Sequence, residues 1–290
     1  MLVALVLAIF CFHSAFRSCL AHGRSILAGD KSVTIDWLTT LAAVWRPRRE
    51  ALRPVRQLDD VGFDDLLGID AQKSAFRDNL ELFIAGSRAN NVLLWGARGT
   101  GKSSLVKCAL NAYAERGLRI VEVDKDDLSD LTEIVDDLRD LPQRFLVFCD
   151  DLSFDEGETG FKHLKSVLEG SIELPPSNVL LCATSNRRHL VSEQATDNEA
   201  VEIVDGELHY GDRIEEKLSL ADRFGLWLSF YPNTMAQYLA IVDALFDQRV
   251  AGFEDIDRQA LHRAAKQFAM TRASRSGRTA RQFFVQYRGG

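Results

Sequence analysis

Residues 91–103 read NVLLWGARGTGKS, an apolar run that leads directly into a glycine-rich loop ending in Lys and Ser. The loop matches GxxxxGK[ST], a pattern in which the glycines let backbone N–H groups turn toward a bound phosphate. In that pattern Lys102 reaches the terminal phosphates, the hydroxyl of Ser103 binds Mg²⁺, and the following helix directs its positive dipole end at the anion. The alternative is a glycine-rich turn with an ordinary surface lysine. The candidate nucleotide contacts are Gly96, Ala97, Arg98, Gly99, Thr100, Gly101, Lys102, Ser103 and Ser104.

The composition is that of an ordinary globular protein, with 290 residues of which 46% are hydrophobic and 27% charged. This length accommodates one large α/β domain together with a smaller one. The net charge of −7 argues against a general nucleic-acid binder. The charge is uneven, however, because residues 1–56 hold eight basic and three acidic side chains.

The amino-terminal segment contains an apolar run from Leu2 to Phe12, shorter than the roughly twenty residues of a membrane-spanning helix. It also lacks the basic start and the cleavage site of a secretory signal. Three interpretations stay open: weak membrane association through residues 2–16, a packed or partner-binding helix, or an extension left out by a later translation start. Five cysteines without metal-ligand spacing favour a reducing compartment. We therefore expect a cytoplasmic protein, with peripheral attachment to the inner membrane as the alternative.

From residue 60 onward, apolar runs alternate with helical patterns, which is typical of a parallel sheet covered by helices. Strands are expected at residues 91–95, 118–123, 145–149, 179–184 and 226–230, and helices at 103–116, 130–139 and 161–168. After Pro232 only helical patterns remain, at residues 234–250, 257–270 and 276–287. Two prolines in the basic stretch 45–56 favour a linker there. The predicted parts are an N-terminal segment of uncertain structure at 1–58, a nucleotide-binding α/β domain at 59–231 and a helical lid at 232–290.

The second half of the site is expected after two later strands. The stretch RFLVFCDDL is an apolar strand that ends in two carboxylates. Asp150 is placed to hold Mg²⁺, and Asp151 to orient or deprotonate an attacking water. The run NVLLCATSN ends in Asn186, which is expected to help position that water beyond the carboxyl ends of the strands. Thr184 and Ser185 are close rivals of Asn186, and solvated polar side chains are the alternative at each position.

Two groups of arginines are candidates for contact with the phosphates. Arg223 lies just before the last strand, where its planar, permanent charge suits a transferring phosphoryl group. The alternative is a structural ion pair with Asp222 or Glu216. A second group lies near the start of the final helix, and Arg278 is favoured there. Its members are Arg275, Arg278 and Arg281.

A further candidate precedes the glycine-rich loop by some twenty-five residues. Leu67, Gly68 and Ile69 are expected to form a wall of an adenine pocket, because a base needs apolar faces and backbone hydrogen bonds. An ordinary packed turn is the alternative.

With these elements in this order, the chain resembles the AAA+ ATPases. The matching segments are LLGID, GARGTGKS and LVFCDD, with Asn186 as sensor 1, Arg223 as arginine finger and a lid arginine as sensor 2. More narrowly, it resembles the bacterial ATP-binding family called domain of unknown function 815, through NNVLLWGARGTGKSSLVK, EVDKDDLSDL, FCDDLSF, ATSNRRHL and ADRFGLWLSFYP. The resemblance implies a five-stranded P-loop NTPase sheet of ASCE type in the order 5-1-4-3-2, Mg-ATP as cofactor, and assembly into a homo-oligomer in which Arg223 reaches a neighbour's site.

One departure concerns the second carboxylate. AAA+ proteins commonly have Asp-Glu where this chain has Asp150 and Asp151. The shorter side chain reaches less far toward water, so the resemblance implies slow hydrolysis.

The leading hypothesis is an Mg-ATP-binding AAA+ ATPase that couples its nucleotide state to oligomerisation or to remodelling of a client whose identity the sequence does not give. The alternative is a nucleotide-gated binding module with little or no hydrolysis, held at an anionic membrane by the apolar and basic N-terminal segments. Small-molecule phosphoryl transfer is a third and weaker hypothesis. A nucleic-acid partner for residues 45–56 or 272–281 is less expected than solvation of those basic side chains.

Overall fold

The computed structural model describes residues 35–153, 160–169, 174–186, 202–204, 207–209, 223–249 and 257–288. The apolar run within residues 2–16 falls outside these ranges, so its three interpretations stay predictions. Residues 35–290 belong to one compact unit. Among the described helices, none combines the length and the apolarity that a bilayer-spanning segment requires.

A seven-stranded sheet forms the centre of this unit. The strands that the structure describes are β1 (Ala42–Arg46), β2 (Ala51–Pro54), β3 (Val92–Gly96), β4 (Leu118–Glu122), β5 (Arg144–Cys149), β6 (Val179–Ser185), β7 (Glu202–Val204), β8 (Glu207–His209) and β9 (Leu226–Phe230). The order in the sheet is β2-β1-β4-β5-β6-β3-β9, and β7 and β8 form a separate hairpin. The five strands from β9 to β4 are all parallel. Counted from β3 as strand 1, their order is 5-1-4-3-2. The α/β fold class is therefore confirmed, although the sheet has seven strands where five were predicted.

The two additional strands correct the expectation of a linker at residues 45–56. β1 pairs parallel with β4 and antiparallel with β2, so this basic stretch is a hairpin at the edge of the sheet. Its first proline, Pro47, begins the 3-10 turn of the hairpin, and its second, Pro54, ends the edge strand. Proline is tolerated at both places because neither needs its N–H for a ladder hydrogen bond. The sheet thus includes residues that precede the predicted boundary at 58.

Helices cover both faces of the sheet. They are α1 (Asp70–Ile84), α2 (Lys102–Tyr113), α3 (Leu131–Arg139) and α4 (Gly160–Glu169). Because side chains alternate along a strand, Val92 and Leu94 of β3 join the core under α1 and α2, whereas Leu93 joins the core under α3 and α4. Burial on both faces explains why the central strands read as continuous apolar runs.

Three helices follow the sheet, as the sequence predicts: α5 (Met235–Arg249), α6 (Arg258–Thr271) and α7 (Gly277–Arg288). They bury a separate core around Tyr238, Phe246, Leu261 and Phe283. The carboxylate of Asp257 caps the start of α6 by accepting the N–H groups of residues 259 and 260. One antiparallel hairpin, β7 with β8, has no counterpart among the predicted strands.

Candidate functional site

The glycine-rich loop leaves β3 and enters α2 with its glycines in conformations that other residues rarely adopt. Gly96, Gly99 and Gly101 have φ angles of 129°, 74° and 103°. A side chain at Gly96 is excluded, because its Cβ would stand 2.0 Å from the carbonyl oxygen of Phe230. That carbonyl accepts the N–H of Ala97 at 2.9 Å. The end of β9 therefore supports the loop from the neighbouring strand.

The ammonium group of Lys102 is folded back onto this loop. Its Nζ donates to the carbonyl oxygens of Gly96 and Ala97, both at 2.8 Å, and to Oδ1 of Asn186 at 3.1 Å. The residue is only 7% exposed. Burial lowers the pKa of the Lys102 ammonium, while the carboxylates of Asp150 and Asp151 act in the opposite direction.

Asp150 lies at the end of β5, beside the first turn of α2. Its Oδ1 accepts hydrogen bonds from the hydroxyl of Ser103 at 2.8 Å and from the hydroxyl of Thr184 at 2.6 Å. The predicted metal ligands Ser103 and Asp150 are thus in direct contact. Hydroxyl and carboxylate oxygens are the ligand types that Mg²⁺ prefers.

Asp151 has a left-handed backbone with φ of 53°. The Asn186 amide donates to its Oδ1, and the Arg98 guanidinium lies 3.7 Å from its Oδ2. The arginine is 80% exposed, so solvent weakens that ion pair. The structure therefore brings Asp151 and Asn186 together at the carboxyl end of the sheet.

A cleft of about 1150 Å³ separates this end of the sheet from the lid. From the sheet side it is lined by Asp150, Asp151 and Asn186, and by the loop residues Arg98, Gly99, Thr100, Gly101, Lys102, Ser103 and Ser104. Leu67 and Ile69 also line it, and their contact with adenine stays a prediction. Gly68 does not line the cleft. Its φ is 77°, and the side chain of Gln237 lies close to it.

Among the side chains that the structure describes, three lid arginines face the cleft, and Arg278, the one favoured from the sequence, is among them. Arg278 and Arg281 of α7 line the cleft, and so does Arg272 after α6. Arg275 is exposed and does not line it. Arg223, before β9, is likewise not among the described residues that line the cleft, and its predicted role at the phosphates stays a prediction.

Sequence reasoning missed the contact between the lid and the glycine-rich loop. The N–H of Gly277 donates to the carbonyl oxygen of Gly99 at 3.2 Å. Ser276 precedes α7, and its hydroxyl accepts the N–H of Thr279 at 3.1 Å, which makes it the cap of that helix. The signal was present in the sequence as a serine directly before the first residue of a helical pattern. The sequence did not show that Ser276 packs against the glycine-rich loop.

The residues of the cleft fit a magnesium–nucleotide complex. An ammonium, a hydroxyl and a carboxylate converge next to a loop of backbone N–H groups at the start of a twelve-residue helix. These are the donors and ligands that a triphosphate with its metal ion requires.

Comparisons with known proteins identify similar structures and the family of the chain. The RuvB Holliday junction branch migration motor of Thermotoga maritima is similar at 14% identity and a TM-score of 0.43, with 77% of this chain and 71% of that chain covered. Two mutants of RuvB match at 13% and 15% identity, with TM-scores of 0.44 and 0.45. A search of curated proteins gave no match. The family model described as Protein of unknown function (DUF815) matches residues 38–290, which include the sheet, the loop and the lid. The chain belongs to this family.

Proposed function

We propose that this protein binds Mg-ATP in the cleft between sheet and lid and hydrolyses it as an AAA+ ATPase. The observation that carries the proposal is the convergence of Lys102, Ser103 and Asp150 beside the glycine-rich loop. Ser103 and Asp150 would hold Mg²⁺, which supplies charge neutralisation on the phosphates when it is bound.

Different residues of the cleft have different roles in the proposed hydrolysis. Lys102 exchanges its loop carbonyls for phosphate oxygens, since its ammonium offers only three donor hydrogens, all now engaged by Gly96, Ala97 and Asn186. Asp151 orients the attacking water and accepts its proton, with Asn186 fixing the carboxylate. The lid arginines 272, 278 and 281 supply positive charge from the opposite wall.

Coupling of this site to other molecules is part of the proposal. Arg223 lies outside its own chain's cleft, which suits a role in the site of a neighbouring copy. The proposal includes homo-oligomerisation, which the AAA+ resemblance implies, and an unidentified protein client. It also includes a cytoplasmic location, which the cysteines and the need for ATP favour. Weak membrane association through residues 2–16 is the alternative to a purely cytoplasmic location.

A second candidate is a nucleotide-gated binding module that hydrolyses ATP very slowly. The geometry of Asp151 favours it, because both carboxylate oxygens face partners within the protein, Asn186 and Arg98. The Asn186 amide competes with water for Oδ1 of Asp151, which would slow its action as a base although the side chain is 58% exposed.

The testing experiment separates binding from hydrolysis. Lys102→Ala should weaken Mg-ATP binding by about tenfold to a hundredfold, because it removes hydrogen bonds from a charged donor. Asp151→Asn should retain binding and lower phosphate release by about a hundredfold or more, because it removes the base. Calorimetric titration and a phosphate-release assay measure the two effects.

Lys266→Ala is the matched control, since Lys266 is exposed on α6 and outside the cleft. Unchanged ATP binding by Lys102→Ala would refute the site. A wild-type protein that binds ATP without releasing phosphate would favour the binding module over the ATPase.

A further inference from the structure

A single buried hydroxyl connects the two acidic residues that follow β5. The Thr184 side chain donates to Oδ1 of Asp150 at 2.6 Å and accepts the backbone N–H of Asp151 at 2.9 Å. Its own carbonyl oxygen accepts the N–H of Leu152 at 2.7 Å. Thr184 therefore makes three hydrogen bonds to three successive residues of the neighbouring segment.

These bonds act on the two acidic residues to which the metal ion and the attacking water are assigned. The carboxylate of Asp150 shares the same oxygen between Thr184 and Ser103. Asp151 has a left-handed backbone, a conformation uncommon for residues other than glycine, and contacts with the surrounding structure stabilise it. The N–H bond to Thr184 is such a contact, and Thr184 itself is fixed by burial, with 2% exposure.

We propose that Thr184 is a positioning residue for ATP hydrolysis, whose hydroxyl sets Asp150 for the metal ion and Asp151 for the water at the same time. The inference rests on the function proposed above. A serine preserves this chemistry because it keeps both the donor and the acceptor. Valine removes it while keeping nearly the same shape.

The experiment compares Thr184→Val and Thr184→Ser with wild type in three measurements: steady-state phosphate release, ATP affinity in Mg²⁺ and ATP affinity in EDTA. Cys182→Ala is the packing control, because Cys182 is buried on the same face of β6 two residues earlier. Unfolding temperatures show that each variant is folded.

Thr184→Val should lower kcat by about tenfold or more, the effect expected for losing a hydrogen bond to a charged group. The gain in ATP affinity that Mg²⁺ provides should shrink, while affinity in EDTA stays within about twofold of wild type. Thr184→Ser should restore most of kcat. Cys182→Ala should keep both kcat and the gain from Mg²⁺.

Three outcomes would overturn the inference: a valine variant with wild-type kcat and wild-type Mg²⁺ gain, equal losses in the serine and valine variants, or an affinity loss in EDTA as large as that in Mg²⁺. A wild-type protein without phosphate release would instead defeat the hydrolysis proposal. The Mg²⁺ gain would then still test the contact between Thr184 and Asp150, because binding does not require turnover.

Discussion

At the scale of single residues, the charged groups of the cleft have hydrogen-bond partners, and Lys102 among them is buried. Lys102 compensates for its buried charge with two loop carbonyls and an amide oxygen. Asp150 receives two hydroxyls. The site therefore holds its charged groups in place before nucleotide binds, and nucleotide must exchange these contacts for its own.

Three buried cysteines allow a prediction about reactivity. Burial raises the pKa of Cys108 and of Cys149 to about 12, and raises that of Cys182 as well. Because the thiolate is the nucleophile, a raised pKa leaves these thiols protonated and slow to alkylate at pH 7 to 9. Mass spectrometry of iodoacetamide-treated native protein should show them unmodified, with labelling only after denaturant is added. Rapid native labelling of any one of them would contradict its burial.

At the scale of elements, the β1–β2 hairpin changes how the sheet ends. It covers the edge of β4 and contributes Ala43 and Trp45 to the core under α3 and α4. The indole of Trp45 also donates to Asp130 at 2.9 Å. The exposed edge of the hairpin carries arginine and proline, residues that discourage pairing with other strands. The hairpin is thus part of the sheet rather than a tether to it.

Shortening the chain tests this role of the hairpin. A chain beginning at Ile35 should unfold within a few degrees of the full chain, because every strand that the structure describes is retained. A chain beginning at Asp59 should unfold about 10 °C lower or fail to fold, since losing a buried aromatic alone costs about 3–5 kcal/mol. Differential scanning calorimetry checks both. Equal unfolding temperatures for the two shortened chains would show that the sheet does not need β1 and β2.

At the scale of the whole molecule, the lid and the glycine-rich loop share a direct contact. A Cβ at Gly99 would stand 2.6 Å from the Ser276 Cβ, closer than such atoms approach. The Gly277 N–H bonds the Gly99 carbonyl in the same place. A change in the loop is therefore transmitted to the first turn of α7, which also carries Arg278.

A double-mutant cycle measures this contact. Gly99→Ala should lower the free energy of unfolding by about 1–3 kcal/mol, from backbone strain and from the clash with Ser276. Adding Ser276→Gly should recover the part that comes from the clash, giving a non-zero coupling energy in urea denaturation. Gly117→Ala is the control, because Gly117 has φ of 92° but nothing within 4 Å of its Cβ position. If Gly117→Ala and Gly99→Ala gave the same coupling energy with Ser276→Gly, the contact between lid and loop would not be the source of the coupling.

The sequence by itself determined the loop, the five parallel strands and the three lid helices, because apolar runs and helical periodicity are local properties of a chain. It also indicated that Asp151 and Asn186 lie close together, since the carboxyl ends of parallel strands lie at one edge of a sheet. Only the tertiary structure decided that the basic stretch is an edge hairpin, because its prolines fit a linker and an edge strand equally well. Only the tertiary structure likewise shows that Thr184 contacts the two acidic residues and that Ser276 packs against Gly99. These contacts join residues 34 and 177 positions apart, and which distant groups meet depends on how whole elements pack rather than on any local pattern.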